Sequence, residues 1–361
     1  MTDAEQSNWV ARAGARDWRV PEAARIPIDF HRSLPGYRPT PLAEAPSLAA
    51  EFGVGRVFVK DESTRLGMPA FKILGASWAI ERALAASGRG VRVLVAATDG
   101  NHGRAVARVA SQRGLAARIF IPDGVHQSAV AAVAGEGAEV VRVPGAYEDA
   151  VRLAVGAASG DGALLIQDMG WPGYERIPAW IVEGYLTMFA EVDEQLAAAD
   201  SEPADLVAVP IGVGSLAQAA VTYYRRPGLS RAPALISAEP VTAACGLRGL
   251  AAGKMVTVPT SVTIMAGLNC GALSEAAWPF LRDGLDAAVA VTDAQDVVAA
   301  EDLARLGVPA GPCGAATLAG ARIALTGDDG AGRREWLGLT GASTIVLLCT
   351  EGSAANPVRR G

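Results

Sequence analysis

The chain has 361 residues, 50% of them hydrophobic, with 32 basic and 38 acidic side chains and a formal net charge of −6 at pH 7. A chain of this length is too long for one small core, so two packed lobes are expected. The negative charge and the lack of any basic run longer than two residues argue against a nucleic acid as a partner.

The first five residues are polar and acidic, and proline and glycine interrupt the longest apolar stretch, residues 206–221. The sequence therefore predicts neither a signal peptide nor a membrane span. Four cysteines are scattered without C-x-x-C spacing, so no metal site is expected and a cytoplasmic thiol protein is predicted. Cys245 and Cys270 are interpreted as buried thiols, and their approach across a loop stays open.

The first half of the chain contains one regular series of strands and helices. Residues 16–38, rich in proline and arginine, are interpreted as an arm over a domain surface, followed by a helix at 47–52 and a strand at 57–60. Further strands are predicted at 91–97, 117–121, 139–143 and 164–167, and helices at 76–86, 103–113, 127–135 and 147–158. This alternation, with short glycine-containing turns, is typical of a parallel sheet covered by helices.

A long predicted helix at 179–198 precedes a second series, with strands at 206–210, 234–239, 288–291 and 344–349. We therefore predict an α/β protein of two domains, each a mostly parallel twisted sheet flanked by helices, with the active site in the cleft between them. Residues 1–75 and 171–361 are predicted to form the large domain, and residues 76–170 the small one.

Lysine is rare in this chain, occurring only at Lys60, Lys72 and Lys254. Lys72 lies in an apolar run between Phe71 and Ile73, although arginine supplies nearly all other cations. Arginine cannot lose its proton in a protein, whereas a desolvated lysine can become a neutral nucleophile and form a Schiff base. The alternative is a lysine whose stem lies on the core while its amine reaches water.

Two glycines connect a predicted strand to a helix in Gly212-Val213-Gly214-Ser215. Curled backbone there can direct several N–H groups at one phosphate, beside the positive end of the helix dipole. The spacing also permits a dinucleotide site, with Glu239 after the next strand as the ribose-binding acid. A plain strand-to-helix turn is the third interpretation, and all three stay open.

Polar residues end several predicted strands, at the edge where α/β proteins bind ligands. Asp99 and Asn101 follow one strand, Asp168 follows another, and Thr350 follows the last. Asp99 or Asn101 could cap the next helix. Asp99 and Asp168 could instead converge on one cleft and carry protons.

These segments occur in order with Lys-Asp-Glu-Ser at 60–63, Ala-Phe-Lys at 70–72 and Thr-Ile-Met-Ala-Gly-Leu-Asn-Cys-Gly at 263–271. From about residue 39 to residue 357 the chain resembles the diaminopropionate ammonia-lyase family. That family belongs to the pyridoxal-phosphate enzymes of the tryptophan synthase β-subunit fold, fold type II. The Thr-Asp-Gly-Asn-His-Gly-Arg segment at 98–104 and the segment at 263–271 distinguish this group from ordinary dehydratases, which carry a Ser-x-Gly-Asn-His loop.

The resemblance implies a cofactor, pyridoxal 5′-phosphate, bound by the large domain and held on Lys72 as a Schiff base. Asn101 would bind the oxygen of the cofactor ring and Thr350 would face the ring nitrogen. The phosphate would be cradled by the backbone of Gly212, Val213, Gly214, Ser215 and Leu216. A neutral hydroxyl at the ring nitrogen makes the ring a weaker electron sink, which favours elimination over transamination.

The resemblance also implies that Asp99 and Asp168 are bases on opposite faces of the substrate, each serving one enantiomer. The implied reaction is loss of ammonia from D- or L-2,3-diaminopropionate to give pyruvate and a second ammonia, catalysed by a homodimer.

The sequence departs from the family pattern before Lys72, at Met169 and Gly170, and after Gly352. A related β-elimination or β-replacement on another β-substituted amino acid is therefore an alternative. A nicotinamide-dependent oxidoreductase built on the glycine segment and a cofactor-binding regulatory protein without activity are the others.

Overall fold

The computed structural model describes residues 7–88, 90–98, 100–145 and 147–355. Its strands, numbered in chain order, are β1 (Trp9–Ala11), β2 (Leu42–Glu44), β3 (Arg56–Asp61), β4 (Val93–Ala97), β5 (Ala116–Pro122), β6 (Glu139–Val143), β7 (Ala163–Leu165), β8 (Leu206–Pro210), β9 (Ala234–Pro240), β10 (Ala287–Val291) and β11 (Thr344–Cys349). The α-helices are α1 (Ile28–Arg32), α2 (Pro46–Phe52), α3 (Lys72–Ser87), α4 (Asn101–Gln112), α5 (Gln127–Gly135), α6 (Tyr147–Ala158), α7 (Arg176–Ala198), α8 (Ser215–Tyr224), α9 (Cys245–Ala252), α10 (Trp278–Gly284), α11 (Asp293–Arg305), α12 (Pro312–Leu325) and α13 (Gly330–Leu337).

In this part of the chain the strands form two sheets. The larger has seven strands in the order β1-β10-β9-β8-β11-β3-β2, and the smaller has four in the order β6-β5-β4-β7. Every neighbouring pair is parallel except at the two edges of the larger sheet, where β1 and β2 run antiparallel to β10 and β3. The predicted α/β fold class is therefore confirmed.

Strand β8 shows why helices cover both faces of the larger sheet. Its residues are all buried, and successive side chains of a strand point to opposite faces. Leu206 and Ala208 belong to the core that contains residues of α12, while Val207 and Val209 belong to the core that contains residues of α7 and α8. Both faces of β8 are therefore buried, which is why its sequence is a continuous apolar run and does not alternate with polar residues.

The elements α5, β6, α6, β8 and β11 have the predicted bounds. The edge strands β1 and β2 and the helix α1 were not predicted, because three to five residues are too few to show a hydrophobic period. Helices α3 and α4 begin earlier than predicted, at Lys72 and Asn101. Each first turn contains a glycine, Gly75 in α3 and Gly103 in α4, and glycine is a poor helix former that weakens the local helical signal.

Helix α3 packs closely against α7 because glycine occupies both sides of the contact. A Cβ on Gly184 would lie 2.5 Å from the carbonyl oxygen of Leu74, and a Cβ on Gly75 would lie 2.5 Å from the ring of Tyr185. Neither helix could approach the other this closely with a larger residue at these positions. The contact fixes the N-terminal end of α3, where Lys72 lies.

A buried ionic network, comprising Lys60, Glu62, Arg65 and Glu191, joins the segment before Lys72 to α7. The Arg65 guanidinium donates to Glu62 Oε2 at 2.8 Å and to Glu191 Oε1 at 2.6 Å. Lys60 Nζ donates to Glu191 Oε2 at 2.7 Å, and all four side chains are 0% exposed. Burial lowers the pKa of Lys60. Lys60 therefore has a structural role.

The proline-rich segment contributes a second buried contact to α3 through His31. The ring Nε2 lies 3.0 Å from the carbonyl oxygen of Leu74, and Nδ1 lies 2.7 Å from Thr187 Oγ1 on α7. A carbonyl oxygen only accepts, so Nε2 carries the hydrogen and Nδ1 accepts from the threonine hydroxyl. Burial lowers the pKa of His31 to about 4, which keeps the ring neutral.

Candidate active site

Lys72 is the first residue of α3 and lies next to the end of β11. The Phe71 amide donates to the Thr350 carbonyl oxygen at 3.2 Å, and Ala70 forms a bridge with Glu351. These backbone contacts bring the predicted Schiff-base lysine beside Thr350, which was predicted to face the cofactor ring.

Lys72 forms an ion pair with Asp168, the second predicted base. Lys72 Nζ lies 2.7 Å from Asp168 Oδ2, and the two side chains are 23% and 9% exposed. Burial lowers the pKa of Lys72, but the Asp168 carboxylate more than offsets this, and the pKa lies above its ordinary value. The amine is therefore charged when no cofactor is bound to it. From the apolar sequence around Lys72 we expected desolvation to make the amine neutral, and the ion pair with Asp168 prevents this. Asp168 already accepts a hydrogen bond from this amine, so it is placed to take the proton that the amine must lose before it can condense with an aldehyde.

Asp168 stays ionised because of the same pair. Burial raises the pKa of its carboxyl group, whereas a charge on His102 and the Lys72 ammonium would each lower it. Because burial lowers the pKa of His102 and keeps that ring neutral, the Lys72 ammonium is the charge that holds the Asp168 pKa below its ordinary value.

Two serines, one at the start of α8 and one before α10, fix the loop that carries Asp168. Ser215 Oγ donates to the Asp168 carbonyl oxygen at 2.7 Å, and the Gly170 amide donates to Ser274 Oγ at 3.1 Å. Sequence spacing gave no signal for Ser274.

The turn between β8 and α8 requires its glycines. Gly214 has φ +98°, and a Cβ on Gly212 would lie 2.8 Å from the carbonyl oxygen of Gly267. Within the described residues no side chain caps α8. The first amides of a helix have no partner inside it, so those of Ser215 and Leu216 are available to an anion. Ser215 belongs to this candidate phosphate site and also donates a hydrogen bond to the backbone of Asp168, so one residue links the phosphate site to the candidate base.

Asn101 and Thr350 lie on a second side of the site and are linked through Glu351. Asn101, the first residue of α4, donates from Nδ2 to Glu351 Oε2, and Glu351 Oε1 accepts from the Cys313 amide at 3.2 Å. Thr350 Oγ1 donates to the Cys313 carbonyl oxygen at 3.2 Å. Burial raises the pKa of Glu351. Glu351, given no role from sequence, orients the Asn101 amide.

Asp99, the other predicted base, lies outside the described residues. Cys245 and Cys270 are not joined by a disulfide. The Cys245 thiol is buried as interpreted from sequence, but Cys270 is only partly buried, so the same interpretation was wrong for Cys270. Among the described side chains, no cluster of three or more histidine, cysteine, aspartate or glutamate residues could bind a metal ion.

Glu239, proposed above as a ribose-binding acid, has a different role. Its carboxylate accepts the amides of Gly246 and Leu247, each at 2.8 Å, and so caps the start of α9. The side chain is 0% exposed and burial raises its pKa to about 7. A carboxylate enclosed in this way cannot reach a ribose, so the geometry gives the nicotinamide alternative no support.

The residues at this site fit pyridoxal 5′-phosphate. The Lys72 amine is partly exposed and forms an ion pair with the Asp168 carboxylate, so it can meet an aldehyde. The turn before α8 has no room for a Cβ at Gly212, and the first amides of α8 have no side-chain cap, so they can bind a phosphate. The model of the family described as "Pyridoxal-phosphate dependent enzyme" matches residues 33–341. The fold, the site and the family model thus agree that this protein is a pyridoxal-phosphate dependent enzyme.

Curated relatives and solved structures narrow this class. Diaminopropionate ammonia-lyase of Salmonella typhimurium is 34% identical over 295 residues, covering 74% of this chain and 72% of that protein. The crystal structure of the Escherichia coli diaminopropionate ammonia lyase in complex with an aminoacrylate-PLP azomethine reaction intermediate matches with TM-score 0.87 and 30% identity, covering 96% of this chain and 94% of that one. Maize serine racemase matches with TM-score 0.78 and 28% identity, covering 93% and 95%.

The chain belongs to the diaminopropionate ammonia-lyase family of pyridoxal-phosphate dependent enzymes. The predicted family, cofactor and enzyme class, a carbon-nitrogen lyase, are therefore confirmed.

We expect Gly214→Ala to weaken the binding of pyridoxal phosphate by about tenfold or more. An L-residue at φ +98° is strained by roughly 1–2 kcal/mol, and the new Cβ would lie 3.1 Å from that of Ala277, so the turn must shift. Fluorescence titration of the cofactor-free protein measures the change. Gly228→Ala, at φ +80° with nothing within 4 Å of the new Cβ, is the matched control and should bind normally. Equal affinities in both variants would show that the turn does not cradle the phosphate.

Proposed function

We propose that this protein eliminates ammonia from 2,3-diaminopropionate of D, L or both configurations, giving pyruvate and a second ammonia. The observation that carries the proposal is the Lys72–Asp168 pair, at 2.7 Å, in a chain 34% identical to a diaminopropionate ammonia-lyase over most of its length. It places a candidate Schiff-base amine and a candidate base within one hydrogen bond of each other.

The chain's own residues would divide the chemistry between binding and proton transfer. Lys72 would hold the cofactor, the backbone from Gly212 to Leu216 would hold its phosphate, and Asn101 and Thr350 would contact its ring. When bound, the cofactor supplies an electron sink for the pair left by the broken Cα–H bond. Asp168 is in place to accept that proton, because its carboxylate is ionised and lies beside the amine.

The two-base arrangement follows from the family resemblance. Asp168 would take the proton from one enantiomer and Asp99 from the other. The position of Asp168 near the amine supports its half of this proposal. The contacts of Ser215 and Ser274 with its loop support it too, because a base must be held in one geometry to be effective.

We expect Asp168→Asn and Asp99→Asn to impair opposite enantiomers, each lowering kcat by about 10²- to 10⁴-fold, the usual contribution of a general base. Pyruvate release from D- and L-2,3-diaminopropionate measures both. Asp329→Asn, at a surface pair with a 75% exposed carboxylate, is the control. Equal losses on both enantiomers in both variants would contradict the division of labour.

A substrate panel tests the reaction itself. We expect kcat/KM to be highest for diaminopropionate and lower for D- and L-serine and L-threonine, since the leaving amine would be recognised together with the α-amino acid group. A higher value for any of the hydroxy amino acids would assign the protein to the alternative β-elimination.

We also propose that residues 1–75 and 171–361 form the cofactor-binding domain and residues 76–170 the small domain. The four strands of the smaller sheet, which fall between residues 93 and 165, support this division. We propose a cytoplasmic homodimer, which light scattering of the purified protein tests. Within the described ranges, no helix has the length and apolar character needed to cross a bilayer.

A further inference from the structure

His102, the second residue of α4, has one ring nitrogen bonded and one without a partner. It is 4% exposed, and Nε2 lies 2.8 Å from the carbonyl oxygen of Ile166. Because that oxygen only accepts, Nε2 carries the hydrogen, and the neutral ring leaves Nδ1 as a bare acceptor. Nδ1 is buried and has no hydrogen-bond partner among the described residues. An unsatisfied buried acceptor normally costs stability, so a native one requires an explanation.

The bare nitrogen faces the candidate base. His102 Nδ1 lies 3.8 Å from Asp168 Oδ2, the same oxygen that accepts from Lys72 Nζ at 2.7 Å. An ionised carboxylate and a bare imidazole nitrogen are both acceptors, so no hydrogen bond can form between them. The titratable groups that face the ring are Asp168, from the loop after β7, and Lys72, from α3. Burial lowers the pKa of His102; the Asp168 carboxylate opposes this effect, the Lys72 charge adds to it, and the pKa stays below its ordinary value.

We propose that His102 is a positioning residue for the elimination, accepting a hydrogen bond from Asp168 once that carboxylate has taken the substrate proton. In this step the Cα–H bond breaks, its electron pair stays with the substrate, and the proton forms an O–H bond at Asp168. The new hydroxyl donates to Nδ1, which is held in place by the bond from Nε2 to Ile166. This inference rests on the proposed function, in which Asp168 is a base.

The hydrogen bond from Asp168 to His102 Nδ1 would form only during the reaction, while Asp168 is protonated. While Lys72 is a free ammonium, it satisfies Asp168 and favours the ionised form. Once the Lys72 amine is engaged by the cofactor, Asp168 loses that partner. His102 is then the neighbour that favours the protonated form, because a neutral acceptor interacts with a carboxylic acid and not with a carboxylate. The geometry thus makes Asp168 a better base when the cofactor is bound.

Two substitutions separate this role from a structural one. In His102→Gln the amide nitrogen can still donate to the Ile166 carbonyl oxygen, but nothing replaces Nδ1. In His102→Asn the amide oxygen takes the place of Nδ1, and the bond to Ile166 is lost. We expect His102→Gln to lower kcat by roughly five- to tenfold, the effect of one hydrogen bond, only for the enantiomer impaired by Asp168→Asn. His102→Asn should retain more of that activity despite a lower melting temperature.

A larger loss of kcat in His102→Asn than in His102→Gln, or equal losses on both enantiomers, would overturn the proposal. His102 would then have a structural role only.

A second measurement uses the cofactor-free protein and does not depend on turnover. The chain has three histidines, so ¹⁵N-histidine spectra can be assigned with the His102→Gln variant. We expect His102 to be protonated at Nε2 alone, and Asp168→Asn, whose amide can donate, to move the Nδ1 resonance towards that of a hydrogen-bonded nitrogen. A hydrogen on Nδ1 in the wild type, or no shift in Asp168→Asn, would refute the geometry. Failure of the proposed reaction would leave these spectra unchanged, so the two failures are distinguishable.

Discussion

Lys72→Ala is expected to abolish both the Schiff-base absorbance of the bound cofactor and turnover, the latter by at least about 10⁴-fold. The amine would form the covalent bond to the cofactor, and no other described lysine can replace it. Lys60 is fully buried in the ionic network, and Lys254 is exposed after α9. Absorbance spectra and pyruvate release from diaminopropionate measure the two losses.

Two further variants make this result specific. Lys72→Arg keeps a cation beside Asp168, so the buried carboxylate still has an ion-pair partner. Because arginine cannot condense with an aldehyde, this variant should nevertheless lose activity. Lys254→Ala should remain yellow and active. A Lys72→Ala protein with intact Schiff-base absorbance would show that another amine holds the cofactor.

Arg65→Met is expected to lower the free energy of unfolding by about 3–5 kcal/mol, the largest stability effect predicted for this chain. The guanidinium donates to both Glu62 and Glu191, and all three side chains are 0% exposed. Without it, Lys60 is the only cation of the network, so one buried carboxylate loses its partner. Methionine fills similar volume, so the loss reports the missing charge and not a cavity.

Urea unfolding followed by circular dichroism measures this change. Arg305→Met is the matched control, because Arg305 pairs with Glu301 and Asp302 on the surface of α11 and is 68% exposed. Its effect should be within about 0.5 kcal/mol. Equal effects in the two variants would show that the buried network contributes no more than a surface ion pair.

Local patterns in the sequence were sufficient to predict most of the fold. The apolar β-branched runs of β8 and β11 and the helix of residues 127–135 were found with the observed bounds because their signals are local. The start of α3 was missed because Gly75, a poor helix former, lies in its first turn and weakens the helical signal there.

The candidate site was predicted only in part. A strand end identified Asp168, glycine spacing identified the turn at Gly214, and the scarcity of lysine identified Lys72 in its apolar run. The pairing of Lys72 with Asp168, 96 residues apart, and the bond from Ser215 to the Asp168 loop depend on how the two sheets pack. No spacing rule contains that information. The role proposed for His102 depends in turn on those contacts.

The charge state of Lys72 also required the structure. A lysine in an apolar run suggested a neutral amine, but the Asp168 carboxylate reverses the effect of burial on its pKa. The same sequence context could not have indicated this partner, because the run around Lys72 contains no acid.

The most direct test of the central claim is the stoichiometry of the products released from 2,3-diaminopropionate by the purified protein with bound pyridoxal phosphate. Pyruvate is measured with lactate dehydrogenase, and ammonia is measured in the same samples. The account predicts two ammonia molecules for each pyruvate, with neither formed by Lys72→Arg. Absence of pyruvate, or its formation at an undiminished rate by Lys72→Arg, would contradict it.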